Sequence, residues 1–454
     1  MLQRFEVLLA YLRSGRLGAT LLLGTSGSFI VHLMSLGLLL VLHVILARSL
    51  EIDQYGIYVY VLTWINLFTL ISKLGFDRVM IRFVAAYRAR KEWGKLRGLL
   101  RRSSQMVIAT SVLIGIVGAL IVQLFTKQFI DDLVKTFMIG FLLLPFQAIN
   151  TLRQGQLIGL KRIVLAKLPM EIFRPMIIMA LVVSSNFWIG PLKAAEVMTI
   201  TVVGAVAVFA VGSYWWLRSM PKEIRNYAVE YPSENWLATA LPFLLISGAH
   251  RIRNSTDIIM IGAIVGMNEA GIYGAATKVS RLVSFGLGAV NSIVAPLISE
   301  LYAQQKYQKL RKLISVTAKG IFLVTVIIVM FFLFYGRDIL ALFNKKFVSG
   351  YPAFLILMIG QLGNALAGSV GILMTMTGNQ KTASKVIGMS AVANIILNAI
   401  LVPLFGMIGA AIATASTTIL WNIILIRFVW QKLSINPTIL PLSFLSKGAL
   451  TWDN

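Results

Sequence analysis

"ARSLEIDQYGIY", from Ala47 to Tyr58, and "GAIVGMNEAGIY", from Gly262 to Tyr273, read as two copies of one passage. Slid over one another by 215 positions, Asp53 and Gln54 fall on Asn268 and Glu269, and Gly56, Ile57 and Tyr58 fall on identical residues. Each copy closes a short polar stretch and opens a long apolar one. A shared tripeptide is weak by itself, but two further registers agree. "GPLKAAEVMTIT" (Gly190 to Thr201) lies over "GMIGAAIATAST" (Gly406 to Thr417) at a shift of 216, and "GLKR" from Gly159 lies over "GNQK" from Gly378 at 219. A nearly constant offset along the chain implies a duplicated unit. In each copy the glycine permits a sharp turn and a close helix approach, and the tyrosine suits a membrane interface, ring half buried and hydroxyl wet.

The composition fixes the solvent. Of 454 residues 58% are apolar and 13% charged, the balance of a polytopic membrane protein. Twelve apolar runs follow one another at roughly 20 to 46, 55 to 76, 104 to 126, 135 to 152, 169 to 189, 193 to 217, 236 to 263, 271 to 299, 316 to 335, 352 to 376, 386 to 404 and 407 to 430. They are too long and too uniformly apolar for barrel strands, so the expected fold class is all-α. Six runs fall in each copy. Six is even, so both halves enter the membrane in the same direction, a parallel repeat of two six-helix bundles around a central cavity. The expected organisation is an interfacial segment at 1–19, lobes at 20–217 and 236–430, a basic linker at 218–235 and a tail at 431–454. The opening residues carry Leu2, Phe5, Leu8, Leu9 and Leu12 on one helical face, a surface-lying pattern rather than a cleaved signal.

A formal charge of +25 raises the question of nucleic acid, and placement answers it. Arg78, Arg82, Arg88, Arg90, Lys91, Lys95, Arg97, Arg101 and Arg102 crowd the connection after the second run. Lys306, Lys309, Arg311 and Lys312 follow the eighth, while alternate connections on the other side are nearly bare. The positive-inside rule puts both termini and every basic connection in the cytoplasm. Topology and anionic headgroups account for these charges, so no nucleic-acid partner is expected. There is no cysteine, and the three histidines lack ligand spacing, so no metal, cofactor or enzymatic chemistry is proposed.

Charges inside the runs are costly, about 3 kcal/mol each at a helix centre, and so must face protein or water. The seventh run holds His250, Arg251, Arg253, Asn254 and Asp257. His250, Arg253, Asn254 and Asp257 share one helical face, on which Arg253 and Asp257 form an expected i, i+4 pair. The eighth run adds Lys278 and Arg281, which at the repeat offset match Thr63 and Asn66. Four basic residues against one carboxylate leave a charge that an anionic ligand would neutralise. Arg251, Arg253, Lys278, Arg281 and Asn66 are therefore the candidate substrate-binding residues. Asp257, Asn254, His250, His32, Lys73 and Asp77 are candidates for cavity polarity or ion coupling. Glu171 with Arg174 reads as a local pair.

These residues carry a family resemblance. "RIRNSTDIIMIGAIVGMNEAGIYGAATKVSRL", with Asp257, Ile261, Gly262, Gly271 and Tyr273 in the matching positions, resembles the polysaccharide transporter family. Its members are Wzx-like lipid-linked oligosaccharide flippases of the multidrug/oligosaccharidyl-lipid/polysaccharide (MOP) superfamily. "ARSLEIDQYGIYVYVLTWINLFTLISKLGFDRVMIRFVA" is similar to the family's opening helices, with Glu51 standing where glycine is usual. The resemblance implies export of a polyprenyl-(di)phosphate-linked oligosaccharide across the cytoplasmic membrane by alternating access. It also implies a role in surface polysaccharide assembly of the O-antigen kind. Membrane lipids and polysaccharide polymerase machinery are the expected partners, and a monomer the expected working unit. Two readings compete. A cation-coupled multidrug exporter of the same superfamily would need an unpaired acid in its first lobe, and residues 20 to 46 contain none. A non-transporting scaffold for glycan assembly would act through its basic connections alone.

Overall fold

The computed structural model describes residues 16–231 and 236–439, and these form helices joined by short turns. Most of the expected interfacial segment, part of the linker and most of the tail (1–15, 232–235 and 440–454) lie outside the described residues. In order the helices are α1 (Arg16–Ser49), α2 (Ile52–Ser72), α3 (Phe76–Arg90), α4 (Trp93–Leu124), α5 (Asp131–Gly159), α6 (Ile163–Leu168), α7 (Arg174–Ile189) and α8 (Ala194–Ser219). There follow α9 (Trp236–Ile264), α10 (Met267–Ser280), α11 (Phe285–Ala303), α12 (Tyr307–Phe343), α13 (Tyr351–Leu366), α14 (Val370–Met376) and α15 (Gln380–Leu433). Among the described residues nine helices are long and apolar enough to cross a membrane. The chain is a multi-pass membrane protein.

Several runs differ from the sequence expectation. The eighth is broken at 281–284 into α10 and α11, and the tenth breaks after Leu366, where Gly368 takes a positive φ of 60°. The connection after the second run is itself helical. In α3, Phe76, Val79, Met80, Val84 and Tyr87 recur on one face and are buried, so its basic residues are the solvated face of an amphipathic helix. Tyr87 accepts a hydrogen bond from Trp236 Nε1 at 3.0 Å, tying α3 to the start of α9. The last two runs form one element, α15, folded back on itself. Gly406 turns the chain with φ 55° and ψ −133°, a conformation that favours glycine. The two arms lie side by side, Asn394 Nδ2 donating to Thr414 Oγ1 at 3.0 Å and Ser390 Oγ to the Thr417 carbonyl at 3.4 Å.

The two Gly-Ile-Tyr passages meet. A Cβ on Gly56 would stand 1.8 Å from the Met267 carbonyl oxygen, and one on Gly271 would stand 3.0 Å from Gly56 Cα. Only glycine lets α2 and α10 approach this closely, so the two passages touch through their small residues. Gln54, in the polar stretch before the first copy, clamps the same end of the fold. Its Oε1 accepts from the Ala194 amide at 2.9 Å and its Nε2 donates to Asp132 Oδ2 at 2.9 Å. The tyrosines correct the interface reading, for both are buried. Tyr58 bonds Thr201 Oγ1 at 3.2 Å, and the Tyr273 hydroxyl donates to Asp257 Oδ2 at 2.6 Å. Burying a phenol in apolar surroundings costs energy unless its hydroxyl is paired, and each copy finds a different partner.

Candidate functional site

Beyond the Gly56–Gly271 contact α2 and α10 enclose a cavity of about 260 Å³, walled also by α1, α7, α8 and α9. From the second half come Arg251, Asn254, Lys278 and Arg281. From the first come His43, Tyr58, Thr63, Asn66, Arg174 and Thr201. Four cationic side chains thus converge on one space. Among the described residues no carboxylate lies within 4.0 Å of Arg174, Arg251, Lys278 or Arg281, and none lines the cavity. Lys278 Nζ donates to the Gly274 carbonyl of its own helix at 3.4 Å. Several cations that share one space with no neutralising carboxylate attract an anion strongly.

Helix geometry sorts the residues of the seventh run differently from the sequence reading. Arg251, Asn254, Ser255 and Ile258, at i, i+3, i+4 and i+7, form the cavity face of α9. Arg253 points elsewhere, its guanidinium 5.6 Å from the centre of the Trp421 ring. Asp257 is 4% exposed and does not form the expected pair with Arg253. Its Oδ2 accepts from Tyr273 at 2.6 Å and from Thr414 Oγ1 at 2.6 Å, and its Oδ1 accepts from Asn398 Nδ2 at 3.0 Å. The face shared by His250, Arg253, Asn254 and Asp257 is thereby divided, and of the four only Asn254 reaches the cavity. Beside Asp257 the side-chain oxygens of Asn394 and Asn398 are buried without a donor among the described residues.

Lys73 and Asp77 belong to the break between α2 and α3, where Lys73 Nζ donates to Asp77 Oδ2 at 2.8 Å. They neutralise each other and stay outside the cavity. His32 also lies outside it. The cavity histidine is His43, whose Nδ1 stands 3.3 Å from the Tyr55 hydroxyl.

Arg174 was missed as a cavity residue, and the local pair read for it is absent. Glu171 faces Lys167 instead, at 4.0 Å. The reason is a π-helical turn over Pro169–Phe173, which changes the helix phase between α6 and α7 and turns Met170, Arg174 and Ile178 inward. Arg174 Nη2 donates to Gln147 Oε1 at 3.4 Å, and Gln147 Nε2 donates to Asn66 Oδ1 at 2.7 Å. That relay fixes the Asn66 carboxamide against the cavity wall. Another guanidinium of the first half, Arg153, is occupied elsewhere, lying 4.2 Å from the Phe209 ring centre and bonded to the Ser213 hydroxyl.

Comparison with known proteins follows this geometry. The chain is 26% identical over 201 residues to the "Probable flippase AglR" of Haloferax volcanii, a match spanning 43% of this chain and 42% of that relative. The chain thus matches under half the length of that curated relative. Its fold is similar to the inward-facing conformation of a multidrug resistance MATE family transporter of the MOP superfamily, with a TM-score of 0.72 and 15% identity. That likeness covers 89% of this chain and 98% of the other. It is also similar to the lipid II flippase MurJ in an inward closed conformation, with a TM-score of 0.69 and 16% identity over 88% and 86% of the two chains. The profile of the polysaccharide biosynthesis protein family matches residues 21–302, which include α2, α9 and α10 and every residue of the cavity wall. With well over half its length matched, this multi-pass chain, built on the MOP transporter fold, belongs to the polysaccharide biosynthesis protein family.

Proposed function

We propose that the chain is a flippase that carries the phosphate-bearing head of a polyprenyl-linked oligosaccharide across the cell membrane. One observation carries the reading: Arg174, Arg251, Lys278 and Arg281 converge on one cavity that, among the described residues, no carboxylate lines. A diphosphate offers the acceptor oxygens that guanidinium and ammonium groups bind best, and the polyprenyl tail can stay in lipid meanwhile. The resemblance to the probable flippase AglR of Haloferax volcanii supports the same activity. The cavity, about 260 Å³, is smaller than the ~300–1,000 Å³ of drug-sized sites, so the glycan passes when the halves part.

The layout that serves this function has twelve spans in two parallel six-helix lobes, 20–217 and 236–430, with termini and basic connections in the cytoplasm. The Gly-Ile-Tyr contact then shuts the outer side, and rocking of the lobes opens each side in turn. Asp257 is the coupling candidate. The donorless oxygens of Asn394 and Asn398 beside it would be satisfied by an added proton or small cation. The chain works as a monomer beside the polymerase machinery that consumes its cargo.

Deletion and complementation test the reading. Without the protein, lipid-linked oligosaccharide should accumulate in the cytoplasmic leaflet. The parent chain should relieve this, and Arg251→Ala or Arg281→Ala should not. Normal surface glycan in both variants would refute the cavity assignment and favour a scaffold. Resistance to cationic drugs conferred by the parent chain would favour the multidrug exporter.

A further inference from the structure

Gln147 stands between the cavity and the body of the first half. It is carried on α5, is 7% exposed and does not line the cavity, yet it bonds two residues that do, Arg174 on α7 and Asn66 on α2. A buried carboxamide costs free energy unless both its ends are paired, and both ends of Gln147 are paired. The direction of those bonds is forced. A guanidinium can only donate, so the atom that Arg174 Nη2 meets at 3.4 Å must be the acceptor Oε1. The other end of Gln147 is then Nε2, a donor, and the Asn66 atom 2.7 Å from it must be Oδ1. Turned over, Asn66 would oppose donor to donor. Its Nδ2 has no acceptor among the described residues and is not sealed in the interior, so its hydrogens are open to the cavity that Asn66 lines.

The hydroxyls of the same wall have no proton to offer. Thr63 donates to the Val59 carbonyl at 2.7 Å and Thr201 to the Val197 carbonyl at 2.8 Å, which leaves Tyr58 to donate to Thr201 Oγ1 at 3.2 Å. An ionised phosphate oxygen accepts hydrogen bonds and gives none. On α2 and α8 it would find, among the described residues, one neutral donor, Asn66.

We propose that Gln147 is a positioning residue for the anionic cargo: it passes the fixed polarity of Arg174 on to Asn66, and so makes Asn66 a donor to a phosphate oxygen in the cavity. This rests on the reading of that cavity as an anion site. Gln147 itself touches no cargo.

Calorimetric titration of the full chain in detergent with farnesyl diphosphate, a short polyprenyl diphosphate, tests it. Asn66→Leu should weaken binding by about tenfold. Gln147→Glu inverts the relay, because a carboxylate only accepts: it takes the Asn66 Nδ2 hydrogens and turns Oδ1 toward the anion. It also pairs with Arg174, so its cost is measured both in the parent chain and in Asn66→Leu, and should be smaller in Asn66→Leu by about fivefold or more. Gln147→His, whose neutral ring has one acceptor and one donor nitrogen, should bind nearer to the parent than Gln147→Leu, which has neither. Unchanged melting temperatures would show that the variants fold. An equal cost of Gln147→Glu in both backgrounds, or equal losses from Gln147→His and Gln147→Leu, would overturn the positioning role and leave Gln147 a packing residue. Where Arg251→Gln still weakens binding, that failure belongs to Gln147 alone. No binding by the parent chain, or parent affinity in Arg251→Gln, would overturn the anion site and this inference with it.

Discussion

Adding one methyl group at Gly56 tests whether the Gly-Ile-Tyr contact is a gate. Its Cβ would sit 1.8 Å from the Met267 carbonyl oxygen, where ordinary contact begins at 3.4 Å, so α2 and α10 must part by about 1.6 Å (3.4 − 1.8). Overpacking of this kind costs about 1–3 kcal/mol. The cost falls only on conformations in which the two hairpins touch, so Gly56→Ala should shift the population about five- to 150-fold toward those in which they are apart. The chain has no cysteine, so Thr63→Cys places a single thiol on the cavity wall. Labelling by an impermeant maleimide from the outer side should quicken by that factor. Gly271→Ala, where the nearest atom is 3.0 Å away, should have a smaller effect, and Gly388→Ala, with nothing within 4 Å, none. If folded Gly56→Ala labels at the parent rate, the contact does not separate during the cycle and the gate is refuted.

Three further outcomes follow from the same contacts. Asp257→Leu strands the Tyr273, Thr414 and Asn398 donors at about 1–3 kcal/mol each, so its melting temperature in detergent should fall well below that of Tyr273→Phe, which strands none. Lys73→Met with Asp77→Leu removes a pair that neutralises itself outside the cavity, and glycan export should stay within about twofold of the parent. Asp77→Leu alone leaves a half-buried ammonium unpaired and should lower the yield of folded protein. Arg251→Gln should cut transport by about tenfold or more in everted vesicles. Arg253→Gln should instead cost mainly stability, about 0.5–2 kcal/mol of contact with Trp421, and equal transport losses would contradict the division of the α9 face.

Much of the site was legible because the repeat supplied a register. Lys278, Arg281 and Asn66 all line the cavity, and the offset that matched Gly56 with Gly271 had picked out Asn66 and Arg281 as counterparts. What escaped depends on neighbours from distant parts of the chain. A helical wheel shows that Arg253 and Asp257 share a face but not that Trp421 and Asn398 come to meet them. Arg174 escaped because a single π turn rotates everything beyond it, and no side-chain periodicity signals that turn. His43 and His32 look alike in sequence, and the Tyr55 hydroxyl beside His43 becomes visible only once α1 lies against α2. The density of basic residues in 78–102 hid the apolar face of α3.

The cavity carries most of its charge on one side. At the repeat offset Asp257 matches Leu42, Lys278 matches Thr63 and Arg281 matches Asn66, so three of the four cavity cations, Arg251, Lys278 and Arg281, belong to the second half. On the proposed rocking mechanism an anion held by one half travels with it, whereas a charge shared equally would resist the parting of the halves. The exchange Lys278→Thr with Thr63→Lys separates position from amount, because the net charge of the cavity is unchanged. Losing the ammonium forfeits a charge-assisted hydrogen bond of about 1.5–3 kcal/mol, a ten- to 150-fold drop in transport for Lys278→Thr alone. The exchanged variant should stay as slow, because its new cation rides on the wrong half and starts from the wall where Thr63 bonds the Val59 carbonyl at 2.7 Å. Recovery of transport in everted vesicles would show that the cavity needs only net charge and would remove the reason for one-sidedness.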